Sequence, residues 1–461
     1  MQFTREIQRL ILLFGIGFGA VALVAAYWAV IGAETISSRD DNPRVIEDLA
    51  RIQRGAIYDR DGALLVESVA DDNGIVTRRY RFDSTYSALG YYSLRYGEDG
   101  IESTYNSQLS GEDQPYDLES FIHEDVLHYP QQGQDIQVTL DLEIQQRAAT
   151  LLNGHRGAIV VMSIPDGAIH ALVSLPTYNP NMLDTNWEDF VKAEGNPFFN
   201  RALLGTYQPG SVIQIGLITA ALLNNISLNT TYADATLPIE VDDVVLNCVQ
   251  PSTLTELTLS QAFTYGCPAP FAAIVEQIGL QRIESVLNTF RNAPHLIDPE
   301  ATPEPLTTFT LEDALGQGEI TYSPLEMAAI IAAVINGGNA PQPYLVEAIK
   351  QDDIWQPITS VRPTTPIITP EISRQLQGIL RLSVLEGTAQ SAAQTGLDIG
   401  GQAGIGYAGD SSHVWFIGFV RLVSNQGFAV AVVIEDSDDI DLPASIGGEL
   451  LALAAMENQS P

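Results

Sequence analysis

Lysine is almost missing from this chain. Of 461 residues only Lys192 and Lys350 are lysines, and 22 Lys+Arg stand against 57 Asp+Glu, a formal net charge of −35. So few cations cannot build the basic patches that phosphate neutralisation needs, which argues against a nucleic-acid binder. The same shortage argues against a protein that adheres to anionic lipid headgroups. Cysteine is scarce as well. Cys248 and Cys267 are the only two; they cannot build a zinc site, and the histidines show no metal spacing, so neither metal nor cofactor is expected. The two cysteines form either one disulfide, permitted in an oxidising compartment, or two buried thiols, and both readings stay open. At 45% hydrophobic residues the chain is too apolar for a disordered acidic polymer. Its length exceeds what one core usually supports, so two or three domains are expected.

The first feature present is an uncharged run from Leu10 to Gly32. As a helix it would span roughly 34 Å at about 1.5 Å per residue, enough to cross a bilayer. Arg5 and Arg9 precede it, and Glu34, Asp40 and Asp41 follow together with Arg39 and Arg44, a flanking bias that favours an N-terminus inside and the remaining chain outside. It is long for a signal-peptide core, and no clean small-x-small site follows, so an uncleaved anchor is expected.

Beyond the anchor, Arg54 to Ser68 alternates in the manner of strands around an Asp61-Gly62 turn. A polar, loop-rich stretch follows, and Gly133 to Leu152 begins as a strand and continues as a helix. From Arg156 the character changes. Strands are expected over Ala158–Ile164 and Ala168–Ser174 about a Pro165-Asp166-Gly167 turn, and helices over Ser211–Leu223, Ser260–Gln277 and Pro324–Asn336. Strands over His413–Leu422 and Gly427–Glu435 and a helix over Gly447–Met456 close the chain. Asp298–Pro305 and Arg362–Pro370 are proline-rich and read as loops. The pattern is α+β: an antiparallel sheet with helical layers behind a β-rich segment.

Several phrases, in this order, resemble a class B penicillin-binding protein, a membrane-anchored D,D-transpeptidase that cross-links peptidoglycan. Arg54–Gly62 and Gly100–Gly111 resemble the family's N-terminal pedestal. Gly157–Asn181 resembles the opening hairpin of the transpeptidase domain, and Asn200–Leu222 the segment that delivers the nucleophile. Gly316–Gly338, Val384–Gln390 and His413–Val420 resemble three further family phrases. The resemblance implies residues 1–33 as cytoplasmic tip and anchor, 34–152 as pedestal (dimerisation-like) domain and 153–461 as transpeptidase-like domain.

The family carries Ser-x-x-Lys, Ser-x-Asn and Lys-Thr-Gly motifs on this scaffold. Each has a physical reason. A serine hydroxyl attacks only when a base takes its proton, and a lysine one helical turn on shares its face. A second serine relays protons, and an Asn holds the substrate backbone. The Lys-Thr-Gly strand supplies charge, a hydroxyl and part of the oxyanion hole. This sequence departs at all three. Ser211 is followed by Gln214 where the lysine belongs, and a carboxamide has no useful basicity. Gly266, Cys267 and Pro268 stand in place of Ser-x-Asn. Gln402, Ala403 and Gly404 stand in place of Lys-Thr-Gly, leaving only the glycine. Lys192 and Lys350 occupy no motif position, and His413, before Trp415 and Phe416, reads as structural.

Ser211 after Pro209-Gly210 also reads as a helix N-cap, a role that needs no chemistry. Gly316-Gln317-Gly318 reads as a structural turn, His170 as a packed strand residue, and Trp415 and Phe416 as core. The resemblance with its altered motifs implies a pseudo-transpeptidase, non-catalytic, linked to cell-wall synthesis or division as a scaffold or regulator. Its implied partners are a polytopic glycosyltransferase and other cell-wall assembly proteins, with weak binding of stem peptide or β-lactam. A divergent transpeptidase or hydrolase acylated at Ser211, and a non-covalent cell-wall ligand sensor, are the alternatives.

Overall fold

The computed structural model describes residues 2–28, 47, 49–114, 127, 129–241, 244–294, 296, 308–358, 362–409, 411–422 and 426–457. Helix α1 (Gln2–Tyr27) holds the apolar run, and its Ile7–Tyr27 stretch is long and apolar enough to cross a membrane, with its side chains exposed. That is compatible with a membrane anchor. The end of the expected span, through Gly32, lies outside the described residues, as does the expected loop Asp298–Pro305.

The pedestal is built on β1 (Ile57–Tyr58), β2 (Leu64–Ala70), β3 (Val76–Tyr80) and β4 (Ile136–Val138). Asp59 folds the β1–β2 turn, its Oδ1 accepting from the N–H groups of Asp61 and Ala63. Two strands from much later in the chain complete this sheet.

Helix α2 (Leu142–Leu152) falls within the segment 34–152 expected as pedestal but packs in the core of the central sheet; it is capped by Asp141, whose carboxylate accepts from the N–H groups of Glu143 and Ile144. Strands β5 (Gly157–Ile164) and β6 (Ile169–Leu175) form the hairpin expected around Pro165-Asp166-Gly167. A helical lobe follows with α3 (Gln214–Leu223), α4 (Leu259–Thr264), α5 (Pro268–Ile278) and α6 (Pro324–Ile335). Ser323 and Glu326 form a capping box at the start of α6, and Pro324 fits its first turn. The β7 (Val346–Gln351) and β8 (Ile354–Pro357) hairpin joins the pedestal, whose six strands run β8-β7-β4-β1-β2-β3.

Helix α7 (Pro370–Glu386), strands β9 (Asp398–Ala408), β10 (Ser411–Arg421) and β11 (Gly427–Glu435), and helix α8 (Asp441–Glu457) end the chain. The central sheet has five strands in the order β9-β10-β11-β5-β6, all antiparallel. The strict alternation of β-strand side chains divides its residues between two cores. Ile159, Val161, Phe416 and Val432 pack with Leu450 and Leu451 of α8 and with Ile144 and Ala148 of α2. Val160, Met162, Trp415 and Ile417 face Ala328, Ile331 and the helical lobe. The chain is therefore α+β, with the helical layers on both faces of an antiparallel sheet.

Two expectations change here. The single helix over Ser260–Gln277 is broken, because Gly266 takes φ +63° and Pro268 starts a new helix. Proline-rich Arg362–Pro370 does not end in a loop: Thr369 caps and Pro370 opens the long helix α7.

Two sheet edges are closed by side-chain carboxamides. On edge strand β6 the Gln145 Oε1 accepts from Leu172 N–H (2.7 Å) while its Nε2 donates to Leu172 C=O (2.9 Å). On edge strand β3 the Asn181 Oδ1 accepts from Tyr80 N–H (2.9 Å) and its Nδ2 donates to Tyr80 C=O (3.0 Å). Each carboxamide meets both backbone groups of one residue, as an antiparallel neighbour would.

Candidate functional site

Ser211 lies on a tight turn, Gly210–Ile213, that leads straight into α3. Its approach is fixed from behind. The Trp415 Nε1–H (3.0 Å) and the His413 Nε2–H (2.7 Å) both donate to the Gln208 carbonyl. Gly210 is required at its position: it takes φ +55°, and a Cβ there would stand 1.9 Å from the Ile405 carbonyl oxygen. The turn therefore presses against β9, and a Cβ on Gly404 would meet the Ser211 Oγ at 2.3 Å.

Ser211 is not the helix cap expected from its neighbours. It sits inside the turn, and its side chain caps no N–H, because Pro209 occupies the cap position. Its Oγ is buried and has no hydrogen-bond partner among the described residues. Gln214, one turn on, is also buried (3% exposed), and its Oε1 is likewise unpartnered.

Neither lysine is at the site. Lys192 pairs with Glu188 at 2.9 Å on an exposed helix. Lys350 is on pedestal strand β7, between Asp135 (3.7 Å) and Asp353 (3.2 Å). His413 is buried, and that burial pushes its pKa down, against the pull of its bond to Gln208 and of Glu435. Glu435 itself is occupied by Arg201 Nε (2.7 Å), Tyr207 OH (2.7 Å) and Arg156 (2.9 Å).

The second motif position is filled rather than open. Gly266 lies under Val249, whose side chain would be 2.9 Å from a Cβ there, and against Thr388 at 3.3 Å. A serine in this position would need the left-handed conformation as well as that space. The covering segment is pinned twice. Cys248 and Cys267 are joined by a disulfide, with Cα atoms 3.9 Å apart. The N–H groups of Val249 and Gln250 donate to the carbonyls of Gly266 (3.2 Å) and Tyr265 (3.0 Å).

At the third position Gln402 is fully buried and both ends of its carboxamide are used. Its Nε2 donates to the Phe263 carbonyl of α4 (2.9 Å), and its Oε1 accepts from the Ser383 hydroxyl of α7 (2.6 Å). The Ser383 and Thr388 hydroxyls lie 3.2 Å apart, and the Thr388 Oγ1 accepts from Ala403 N–H (3.2 Å). Gln402 thus ties the sheet edge to two helices and presents no charge to Ser211. A lysine here would instead place a cation beside Phe263 and Ser383.

The structure brings Ser211, Gln214 and Gly404 together and places Gly266 and Gln402 on the elements that flank them. Ser383, Thr388 and Val249 were not singled out from sequence, and Gln317 only as part of a structural turn. Val384–Gln390 carried the one signal for Thr388; nothing in sequence marks Val249 as a cover. Among the described residues no cluster of three or more His, Cys, Asp or Glu could hold a metal ion.

Comparison with known proteins agrees with this scaffold. Residues 157–452 match the penicillin binding protein transpeptidase domain, and residues 54–135 match the penicillin binding protein A dimerisation domain. The peptidoglycan D,D-transpeptidase PbpA of Mycolicibacterium smegmatis is 28% identical, over 93% of this chain and 94% of the relative. Penicillin-binding protein A from M. tuberculosis, solved as its imipenem acyl-enzyme complex, superposes with TM-score 0.78 at 26% identity, covering 89% of this chain and 99% of that one. A D,D-transpeptidase domain from Eggerthella lenta superposes with TM-score 0.76 at 25% identity, over 89% of this chain and 100% of that one. The turn that carries Ser211, the five-stranded sheet and the composite pedestal are those of a class B penicillin-binding protein, and the chain belongs to the penicillin-binding protein transpeptidase family.

Proposed function

We propose that this protein is a non-catalytic member of its family, a pseudo-transpeptidase that acts as a scaffold or regulator of cell-wall synthesis or division. One observation carries the reading. Among the described residues the Ser211 hydroxyl has no hydrogen-bonding partner, and both motif positions where the family has lysine hold glutamine. Gln214 has no basicity, and Gln402 spends both ends of its amide on Phe263 and Ser383. Removing a base from such a unit costs many orders of magnitude in turnover. The α1 helix anchors the chain in the cell membrane as a single pass, with the N-terminus cytoplasmic and the two domains outside. There the protein contacts cell-wall assembly proteins, a polytopic glycosyltransferase among them.

A second reading has its own support: relatives that match along nearly the whole chain carry the name D,D-transpeptidase, and Ser211 keeps its place at the head of α3. Fluorescent penicillin separates the two. The full chain in detergent is expected to stay unlabelled under conditions that label the M. smegmatis PbpA. Gln214→Lys alone is also expected to stay unlabelled, because Gly266, Pro268, Gln402 and Ala403 are unchanged. Covalent labelling that disappears on Ser211→Ala would replace the scaffold reading with the enzymatic one.

A further inference from the structure

The segment that matches the dimerisation domain meets the transpeptidase match through a cluster of rings. One side is the hairpin Gly90–Ser93/Gly97–Gly100, and the other is the helix Leu183–Lys192. Tyr96, in the hairpin turn, stacks on Trp187 with centroids 4.2 Å apart and planes 4° from parallel. Trp187 also meets Tyr91 (6.3 Å) and Phe198 (5.0 Å), and the Ser93 hydroxyl donates to the Asp184 carboxylate (2.7 Å). These contacts join hairpin and helix without covering the stacked pair: Tyr96 and Trp187 stay half-buried.

Apolar surface continues on both sides of the stack. Val191, one helical turn after Trp187 and on its face, is 55% exposed, and Leu94, in the hairpin turn, is 45% exposed. A lone exposed aliphatic residue is ordinary, but these two flank a Trp–Tyr pair across a seam between two segments. Tyrosine and tryptophan are the residues enriched at the centres of protein–protein interfaces. The surroundings carry one sign of charge. Residues 90–100 and 183–194 hold six carboxylates against two cations, Arg95 and Lys192. Lys192 is paired with Glu188 (2.9 Å), and Arg95 lies over the Tyr96 ring (5.1 Å). Asp99, Asp184 and Asp189 remain exposed.

That charge selects the occupant. A second copy in a symmetric pair would set the same acidic patch against itself. An anionic lipid headgroup would be repelled as well. A protein segment with an apolar residue between lysines or arginines satisfies both the rings and the carboxylates.

We propose that the strip Leu94–Tyr96–Trp187–Val191 is a docking surface for a basic, apolar segment of a partner protein. Half of the strip comes from each side of the seam, so the bound segment clasps hairpin to helix. That the partner belongs to cell-wall assembly rests on the scaffold reading above; the surface itself rests on exposure and charge.

The test places the photo-crosslinking residue p-benzoylphenylalanine at Leu94 or at Val191 of the full chain in its native cell. Val245, 54% exposed on the hairpin Ile239–Val241/Val244–Leu246, is the control position. Positions 94 and 191 are expected to trap one and the same protein, through a segment in which Lys or Arg flanks an apolar residue, and position 245 is expected not to. That segment, made as a labelled peptide, is then titrated against the purified full chain. Its affinity is expected to fall about tenfold in Leu94→Ser and in Val191→Ser, and to weaken as NaCl rises from about 0.05 to 0.5 M. Both substitutions are at exposed positions, and thermal melts establish that the variants are folded. No crosslink at 94 or 191, equal trapping at 245, a crosslink to a second copy or to glycan, a trapped segment without cations, or equal affinities for parent and variants would each overturn the surface. Penicillin labelling of Ser211 would instead overturn the non-catalytic reading and leave this comparison standing.

Discussion

A carboxylate without access to water stands between two guanidinium groups in the pedestal. The Glu102 Oε1 accepts from Arg78 Nε (2.7 Å) and Tyr80 OH (3.1 Å), and its Oε2 accepts from Arg54 Nε (3.1 Å). Burial alone would raise the Glu102 pKa. The charges of Arg78 and Arg54 outweigh it and hold the group below its ordinary value of 4.5. The sign follows: the stabilisation is fully present above that ordinary value and is lost as pH falls through the lower, folded one. Glu102→Gln leaves buried Arg78 without a counter-charge and Arg54 with only Glu98, 4.0 Å away, and is expected to cost about 3–5 kcal/mol. Urea unfolding at pH 7 measures it. Between pH 5 and 3 the parent should lose more stability than the variant, and equal slopes would show that Glu102 is not the titrating group. This triad was hidden in sequence, because Arg54, Arg78 and Glu102 are far apart in the chain. The motif losses were readable, because Gln214 and Gln402 replace lysines at fixed offsets. What Gln402 touches was not, since Ser383 and Phe263 reach it from other elements.

Among elements, the strands and the α6 helix were the most legible. Val, Ile and Ala runs around Pro165-Asp166-Gly167 specify β5 and β6, and Ser323-Pro324 with Asn336-Gly337-Gly338 bounds α6. The α4–α5 break shows the opposite case. The apolar period continues across it, but the backbone at Gly266 and the ring of Pro268 outrank the period. Helix α8 begins at Asp441, six residues before the expected Gly447, because Gly447 and Gly448 are used for close packing rather than as a start. A Cβ on Gly447 would be 2.2 Å from the Phe416 ring, and one on Gly448 would be 2.4 Å from the Ala392 carbonyl oxygen. Edge caps have no sequence signal at all, since a glutamine on a helix face is ordinary. They are nonetheless testable. Gln145 is fully buried and its Nε2 also donates to the Ser84 carbonyl (2.6 Å). Gln145→Ala leaves the Leu172 N–H unpaired, its carbonyl with only the long Ser87 hydroxyl contact (3.4 Å) and the Ser84 carbonyl without this donor, and is expected to cost about 3 kcal/mol, whereas Asn181→Ala at an exposed position should cost about 1 kcal/mol. Denaturant midpoints at constant m measure both. Equal small losses would mean that water replaces Gln145 and that the β6 edge needs no cap.

For the whole molecule the lysine shortage has a second consequence, apart from chemistry. With 22 Lys+Arg for 57 Asp+Glu, at most 22 carboxylates can find a separate cation, so most must face water or one another. Several of the cations are committed: Arg54 and Arg78 to Glu102, Arg201 and Arg156 to Glu435, and Lys350 to Asp135 and Asp353. Self-repulsion among the remaining acids opposes compactness. The Debye length falls from roughly 30 Å at 0.01 M salt to about 10 Å at 0.1 M and about 3 Å at 1 M, so added salt removes that repulsion before it touches the buried pairs. The melting temperature of the folded protein is therefore expected to rise by several degrees between about 0.01 and 0.5 M NaCl, at roughly 2–4 °C per kcal/mol for domains of this size. A neutralised control sharpens the test. Replacing exposed Asp72 and Glu386, for which no ion pair with a described residue occurs, by Asn and Gln should raise the low-salt melting temperature and flatten the salt response. A melting temperature that falls with NaCl would mean that exposed ion pairs, not unpaired carboxylates, govern the stability of this acidic chain.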